Sequence, residues 1–565
     1  MASTDRTTTA AKGMAAAQSP SKPADAALPD IVFAQASPQS IGGTPLFDAP
    51  RSITSANVTD YMSEAVIIRA AVARLQSAGF QVLDVAPTTI NIAGPPSLYE
   101  SYFSARLVAE ERPVLKSQDR EDTATFVECP DTDLPGLVPV GASPASDVLE
   151  GVALEEPRYF HQSPFPPRTG YWHLQVPGDV SMGLNADRAH RMQVTGAGVK
   201  VVMVDSGWFR HPYFVNRGYR AAPVVLGPAT SRPTDDESGH GTGESANLFA
   251  VAPDIDFTMV KINFVNSIGA FNTAIGLGPQ VISCSWGSDI QGPGLSAANI
   301  ALAAVVARAV ANGIVVVFSA GNGQWGFPGQ HPDVIAAGGV MVEPDGGLHA
   351  SDYASGFASR VYPGRNVPDV SGLVGMRPRA AFIMLPLQAG DEIDGALGNG
   401  NAHPAGDETA PNDGWAAFSG TSAAAPQVAG VCALVKQVNP QLTPAQVKDV
   451  LSRTARDVTG GTNHPNHGHQ AVPGYDLATG HGLADAHRAV LAASLMRRTE
   501  NRQVADRTAS EWPDQRMSPS PGRRPAAAGS GGYWVQRTAE PQGIGAEEAS
   551  ALAGYAAEED SGARW

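Results

Sequence analysis

Three residues of the chain have the types and settings that acyl-transfer chemistry needs. Asp205 closes the apolar run Val199-Lys200-Val201-Val202-Met203-Val204 and is followed by Ser206-Gly207. His240 stands in Ser238-Gly239-His240-Gly241-Thr242. Ser422 lies in Gly420-Thr421-Ser422-Ala423-Ala424-Ala425-Pro426, which opens an apolar, alanine-rich stretch. An imidazole can take a serine proton and return it to a leaving amine, while a carboxylate fixes the ring's tautomer and stabilises the imidazolium. A helix start offers unpaired N–H groups and the positive end of a dipole, and both favour a developing oxyanion. Asn322, in Ser319-Ala320-Gly321-Asn322-Gly323, adds a side-chain amide that could donate to that oxyanion. One such donor contributes roughly 3 kcal/mol to a transition state. Each residue alone has an ordinary reading: helix cap, turn acid or loop former. It is their joint order along the chain that favours chemistry.

The surrounding sequence supplies elements able to hold them. The β-branched runs at 199–205, 257–262, 281–285 and 314–320 read as buried parallel strands. Helical stretches lie between them, notably Ser296 to Asn312. Strands alternating with helices predict an α/β fold built on a doubly wound, mostly parallel sheet with helices on both faces. Upstream, 66–80 has helical spacing and a glycine stop, followed by strands at 81–85 and 89–93 and a helix at 95–103, a small α+β unit.

With these motifs in hand, residues 172–490 resemble the subtilases, the subtilisin-like serine peptidases. The order Asp…His…Ser is that of subtilisin. The resemblance implies a serine endopeptidase forming an acyl-enzyme on Ser422, with His240 as general base and acid, Asp205 orienting it and Asn322 in the oxyanion hole. It also implies polypeptide substrates. Ser283-Cys284-Ser285-Trp286-Gly287 is similar to the family's substrate-pairing strand, whose free edge accepts a peptide as an added strand. The 51–106 unit resembles the activation prodomain of sedolisins and related subtilases, which implies a folding aid and intramolecular inhibitor. Arg456-Asp457-Val458 with Ala471-Val472-Pro473-Gly474-Tyr475-Asp476 resembles the sedolisin calcium loop. Carried over, Asp457 and Asp476 would give carboxylates and Val458, Val472 and Gly474 carbonyls to Ca2+, a hard cation that prefers oxygen ligands. A metal-free turn held by the same residues is the alternative. The chain departs from the subtilase pattern at Gly243-Glu244. Glu244 lies four residues after His240, so on a helix the two share a face. It would either hydrogen-bond near His240 and raise the base's pKa, or be a solvated or structurally paired carboxylate. A catalytically silent subtilase-fold binding module, or a maturase for one partner, are the rival functions.

Composition bounds the rest. A net charge of −16 over 565 residues argues against nucleic acid as a partner. No apolar run approaches membrane-spanning length, and a monomer is expected. Three cysteines cannot make a disulfide framework; Cys284 and Cys432 read as buried thiols. The first thirty residues lack the apolar core of a secretory signal, so the compartment is open, cytoplasmic by default. The expected organisation is a disordered segment over 1–50, the prodomain-like unit over 51–106, a linker over 107–170, the peptidase domain over 171–495 and a disordered tail over 496–565. The acidic, glycine-rich insert at 386–414 has no assigned role. The histidines of 463–469 read as a polar loop tip rather than a metal cluster.

Overall fold

Val, Ile and Met crowd the segments that become the central sheet, and side chains buried on both faces leave them nowhere else to go. A computed structural model describes residues 24–48, 52–116, 120–160, 172–343, 345–376, 381–397 and 409–511. The main sheet runs, in spatial order, 225–226, 256–261, 200–205, 281–284, 315–319 and 335–342. Its last strand is flanked by 348–350, antiparallel, and 370–373, parallel. The pairs from 225 to 342 are all parallel, as the alternation of strands and helices predicts. One face packs against the helices His240–Val251 and Thr421–Val438, the other against Ser267–Gly276 and Ala297–Ala311. Ser296 caps the last of these by accepting from the Asn299 N–H, as expected for a serine at that position.

The N-terminal unit is larger than the sequence suggests. Its helix Ala65–Ala78, strands Gln81–Val85 and Ile90–Gly94 and helix Pro96–Phe103 lie where expected. The sheet they belong to is five-stranded and antiparallel, with 32–38 at its centre between 90–94 and 149–154. The expectation of disorder over 1–50 is therefore corrected for Val32–Pro38, which is short but almost wholly buried. Residues 1–23 lie outside the described residues. The linker reading of 107–170 is also corrected. Val108–Lys116 and Arg120–Glu128 form a hairpin, and Leu149–Leu154 is a core strand. The hairpin is knit across its strands by Arg112 with Glu128 and Lys116 with Asp122. Charged cross-strand pairs replace the apolar alternation by which a strand is read. Part of the tail is helical too, since Ala486–Glu511 runs well past 495; 512–565 lie outside the described residues.

The N-terminal unit docks on the Ser267–Gly276 and Ala297–Ala311 side. Leu46, Phe47, Val58 and Tyr61 share a core with Leu302 and Phe271, and Asn91 and Asn266 exchange side-chain amide bonds of 2.6 and 3.0 Å. Cys129, Cys284 and Cys432 are free and buried. Among the described residues no helix is long and apolar enough to cross a membrane.

Candidate active site

Asp205 emerges at the carboxyl end of strand Lys200–Asp205. Its Oδ1 lies 2.8 Å from His240 Nδ1 and also accepts from the Ser206 N–H. His240 is the first residue of its helix, and Gly239 before it adopts φ 83°. A methyl there would run into the Asp391 carboxylate. Two polar side chains tie the strand end to the helix start. Ser206 Oγ accepts from the Gly241 N–H at 2.8 Å and donates to Asp236 at 2.7 Å. Asp236 in turn accepts from the Thr242 N–H and hydroxyl. Burial pulls the His240 pKa down, but the charge and hydrogen bond of Asp205, with Glu244 and Asp236 behind, outweigh it and the net shift is upward.

Ser422 is the second residue of the helix Thr421–Val438, preceded by Gly420 at φ 144°. Pro426, inside this helix, has no N–H to give the Ser422 carbonyl four residues back. Ser285 supplies the missing donor, its hydroxyl reaching the Ser422 carbonyl at 2.9 Å. The Ser422 hydroxyl itself donates to the Ser285 carbonyl at 3.2 Å, while His240 Nε2 has no hydrogen-bond partner. The structure thus brings Asp205 to His240 and holds Ser422 in a side-chain orientation directed at Ser285. A rotation about one bond is needed before His240 can accept its proton. Asn322 is brought to the serine's neighbour: its Oδ1 accepts from the Thr421 N–H at 3.0 Å and from the Thr421 hydroxyl at 3.2 Å. That contact orients the amide, so its NH2 end is directed away from Thr421, the orientation an oxyanion donor at this position needs.

Glu244 shares the helix face with His240, as its spacing predicts. It is fully buried, which excludes the solvated reading. One oxygen accepts from the Asn247 amide at 2.9 Å. The other lies 4.0 Å from His240 Nε2, too far for a hydrogen bond, and has no partner. Burial pushes the Glu244 carboxyl up to about 8, opposed in part by His240.

The cleft is covered by the chain itself. Tyr159–Phe160 pairs antiparallel with Trp286–Asp289, Phe160 opposite Trp286 and Tyr159 opposite Gly287. The Phe160 ring stacks on His240 with centroids 3.9 Å apart and meets Phe264 edge-on at 4.5 Å. The strand edge at Trp286 and Gly287 is therefore filled, and Asp205, His240, Asn322 and Ser422 are all buried.

A model of the subtilase family matches residues 196–482, just over half of the chain. The chain belongs to the subtilase family. Among curated relatives, alkaline elastase YaB of Bacillus sp. (strain YaB) is 28% identical over 305 residues, 50% of this chain and 67% of that one. M-protease of Shouchella clausii (strain KSM-K16) is 30% identical over 307 residues, 51% and 66% respectively. Subtilisin E of Bacillus subtilis (strain 168) is 29% identical over 297 residues, 50% and 66%. The chain thus spans about two thirds of the length of these relatives. The crystal structure of fervidolysin from Fervidobacterium pennivorans, a keratinolytic enzyme related to subtilisin, superposes with a TM-score of 0.50 and 17% identity, over 82% of this chain and 61% of that one. That likeness supports the subtilisin-like α/β fold.

Two regions of this subtilase are explained only by the folded chain. Within the 386–414 insert, the helix Glu392–Leu397 hydrogen-bonds through the N–H groups of Glu392 and Ile393 to the carbonyls of Glu237 and Ser238. It thereby braces the loop that delivers His240; residues 398–408 lie outside the described ones. The 463–469 segment is a loop whose Pro465, Asn466 and Gly468 are exposed, while Asn463 and His464 are buried. Asn466 donates to the Gly323 carbonyl at 3.1 Å, His464 is buried against Gly323, and His467 contacts Ser355 and Trp325. Burial lowers His467 to about 4, keeping it neutral. These groups back the Asn322 loop, and nothing in their spacing announces it. Among the described residues no cluster of three or more His, Cys, Asp or Glu is placed to hold a metal. In the calcium-like segment, Asp457 and Asp476 do reach one turn: Asp457 accepts from the Gly474 N–H at 3.0 Å and Asp476 from the Val472 N–H at 2.9 Å. The other Asp476 oxygen accepts from Ala478 and Thr479. Val458 is buried while Val472 is exposed.

Proposed function

We propose that this subtilase is a serine endopeptidase produced as a self-inhibited precursor. The observation that carries this reading is the Asp205–His240 contact of 2.8 Å beside a serine at a helix start, with the substrate edge occupied by the chain's own strand 159–160. A peptide laid along that edge would place its carbonyl between Ser422, the N–H groups at the helix start and Asn322. Once Ser422 Oγ turns from Ser285 to His240, the imidazole takes its proton as the acyl bond forms. It then returns that proton to the departing amine. Release of residues 24–160 uncovers the cleft, so the N-terminal unit acts as intramolecular inhibitor. Intact mass and fluorophosphonate labelling test this together. Wild type loses an N-terminal fragment on incubation and then labels; Ser422→Ala does neither. A wild-type chain that stays whole and unlabelled would sink the reading in favour of a silent binding module.

The same reading includes a structural Ca2+ at the Asp457/Asp476 turn, with carbonyls of Val458, Val472 and Gly474. Both carboxylates accept N–H groups here, Asp457 from Gly474 and Asp476 from Val472, Ala478 and Thr479. A hard cation, which takes oxygen ligands, would have to displace these donors; the metal-free turn is the competing reading. In the Ser422→Ala chain a chelator lowers Tm, and excess Ca2+ restores it. Asp476→Asn abolishes that response. A Tm indifferent to chelator would leave the turn metal-free.

A further inference from the structure

The segment lying in the cleft carries two side chains that face the catalytic domain, and they differ sharply in chemistry. Along a strand alternate residues share a face, and here Arg158 and Phe160 are the pair. Phe160 fills the space between His240 and Phe264. Arg158 is 3% exposed, and its N–H bonds the Phe264 carbonyl at 3.1 Å. Its guanidinium donates to Ser288 Oγ at 2.7 Å and reaches Ser267 Oγ at 3.5 Å. Both hydroxyls belong to the catalytic domain. The nearest charge balance comes from Glu156, 3.5 Å away on the segment itself. The Glu156 carboxylate is in turn held by the Asn299 amide at 2.8 Å.

A buried guanidinium is costly. Here Nε and Nη1 are met by the two hydroxyls and Glu156, while Nη2 has no hydrogen-bond partner, so the selectivity rests on the hydroxyls an apolar side chain would leave unpaired. An unpaired polar wall rejects an apolar side chain more firmly than an apolar pocket rejects a smaller one. Resting on the endopeptidase reading, we propose that the cleft selects peptides with an arginine two residues before an aromatic residue, favoured further by an acid two residues before the arginine. Ser288 and Ser267 read the arginine, Asn299 reads the acid, and His240 with Phe264 read the aromatic ring. In the same register, the next residue of a bound peptide comes opposite Ser285, whose carbonyl touches Ser422 Oγ. The bond attacked therefore lies within two residues after the aromatic.

The test uses a quenched peptide copying residues 155–164, with Arg→Ala, Phe→Ala and Glu156→Ala versions, and the self-processed enzyme. Casein serves as an unselective substrate. The expected result is at least a tenfold fall in kcat/KM for Arg→Ala and for Phe→Ala, and a smaller fall for Glu156→Ala. Ser288→Ala enzyme should shrink the Arg/Ala ratio severalfold. Equal rates on all four peptides, with casein still cut, overturn the selectivity while leaving the endopeptidase reading intact. Casein left uncut overturns the endopeptidase reading itself. A readout independent of turnover accompanies these: amide exchange in the Ser422→Ala chain, where Arg158→Ala should speed exchange at 158–160 and 286–288 at least tenfold. Unchanged protection overturns the arginine pocket whatever the peptides do.

Discussion

At the scale of single residues the unusual feature is Glu244, a buried acid whose free oxygen lies 4.0 Å from the catalytic nitrogen of His240. Two consequences follow from its charge state. Burial holds the carboxyl protonated up to about pH 8, so Glu244→Gln should leave the acid limb of the kcat/KM–pH profile in place; a limb that moves to lower pH would show an ionised carboxylate favouring the imidazolium. The second consequence concerns stability. The folded carboxyl is raised from its ordinary value to about 8 by burial. Its contribution is therefore fully present below the unfolded pKa and is lost as pH rises toward 8, at about 1.4 kcal/mol per pH unit. In a Ser422→Ala background, Glu244→Gln should thus gain Tm relative to its parent as pH goes from 6 to 9. The neighbouring groups that modulate this are Asp205, His240 and Asp236.

At the scale of elements, the serine helix contains its own defect and the adjoining strand repairs it. Pro426 denies the Ser422 carbonyl a helical partner, and the Ser285 hydroxyl supplies one. Ser285→Ala leaves that buried carbonyl unpaired and should cost about 1–3 kcal/mol, read as a fall in Tm of the Ser422→Ala chain. The same bond links the nucleophile's helix to the strand that pairs with the cleft segment. Ser285→Ala is therefore expected to lower kcat as well, because the serine loses its reference position; unchanged Tm and kcat would show the carbonyl has found another donor. The His240 helix is anchored differently, by Ser206 and Asp236 across to strand 200–205 and by the insert helix 392–397 from outside. Each catalytic residue is held by elements distant in sequence from its own.

At the scale of the whole molecule, the N-terminal unit and the catalytic domain share a hydrophobic core and the reciprocal Asn91–Asn266 amide pair. Cutting one partner leaves the other buried and unsatisfied, which penalises the docked state more than the separated one. Asn91→Ala should therefore speed fluorophosphonate labelling of the intact chain severalfold before any fragment is lost. Labelling at the parental rate would mean that the amide pair does not hold the cover in place. The strand 159–160 continues this docking directly into the cleft, so inhibition and attachment are one surface.

Much of this was legible from residue types. Asp205, His240, Asn322 and Ser422 sit in short motifs whose glycines and apolar flanks have local causes, and the parallel strands that carry them are continuous β-branched runs. Periodicity likewise located the helix 65–78 with its glycine end. What failed to show were elements whose stability is not local. Val32–Pro38 is a strand because two distant strands pair with it, and the 108–128 hairpin hides its alternation in charged pairs. The cover over His240, the arginine pocket, the bracing of the Asn322 loop by Asn466 and the repair of the Pro426 gap by Ser285 all join residues far apart in the chain. The sequence determined which groups could do the chemistry. Only tertiary packing decided what faces them, because burial, pairing and charge balance are properties of neighbours in space.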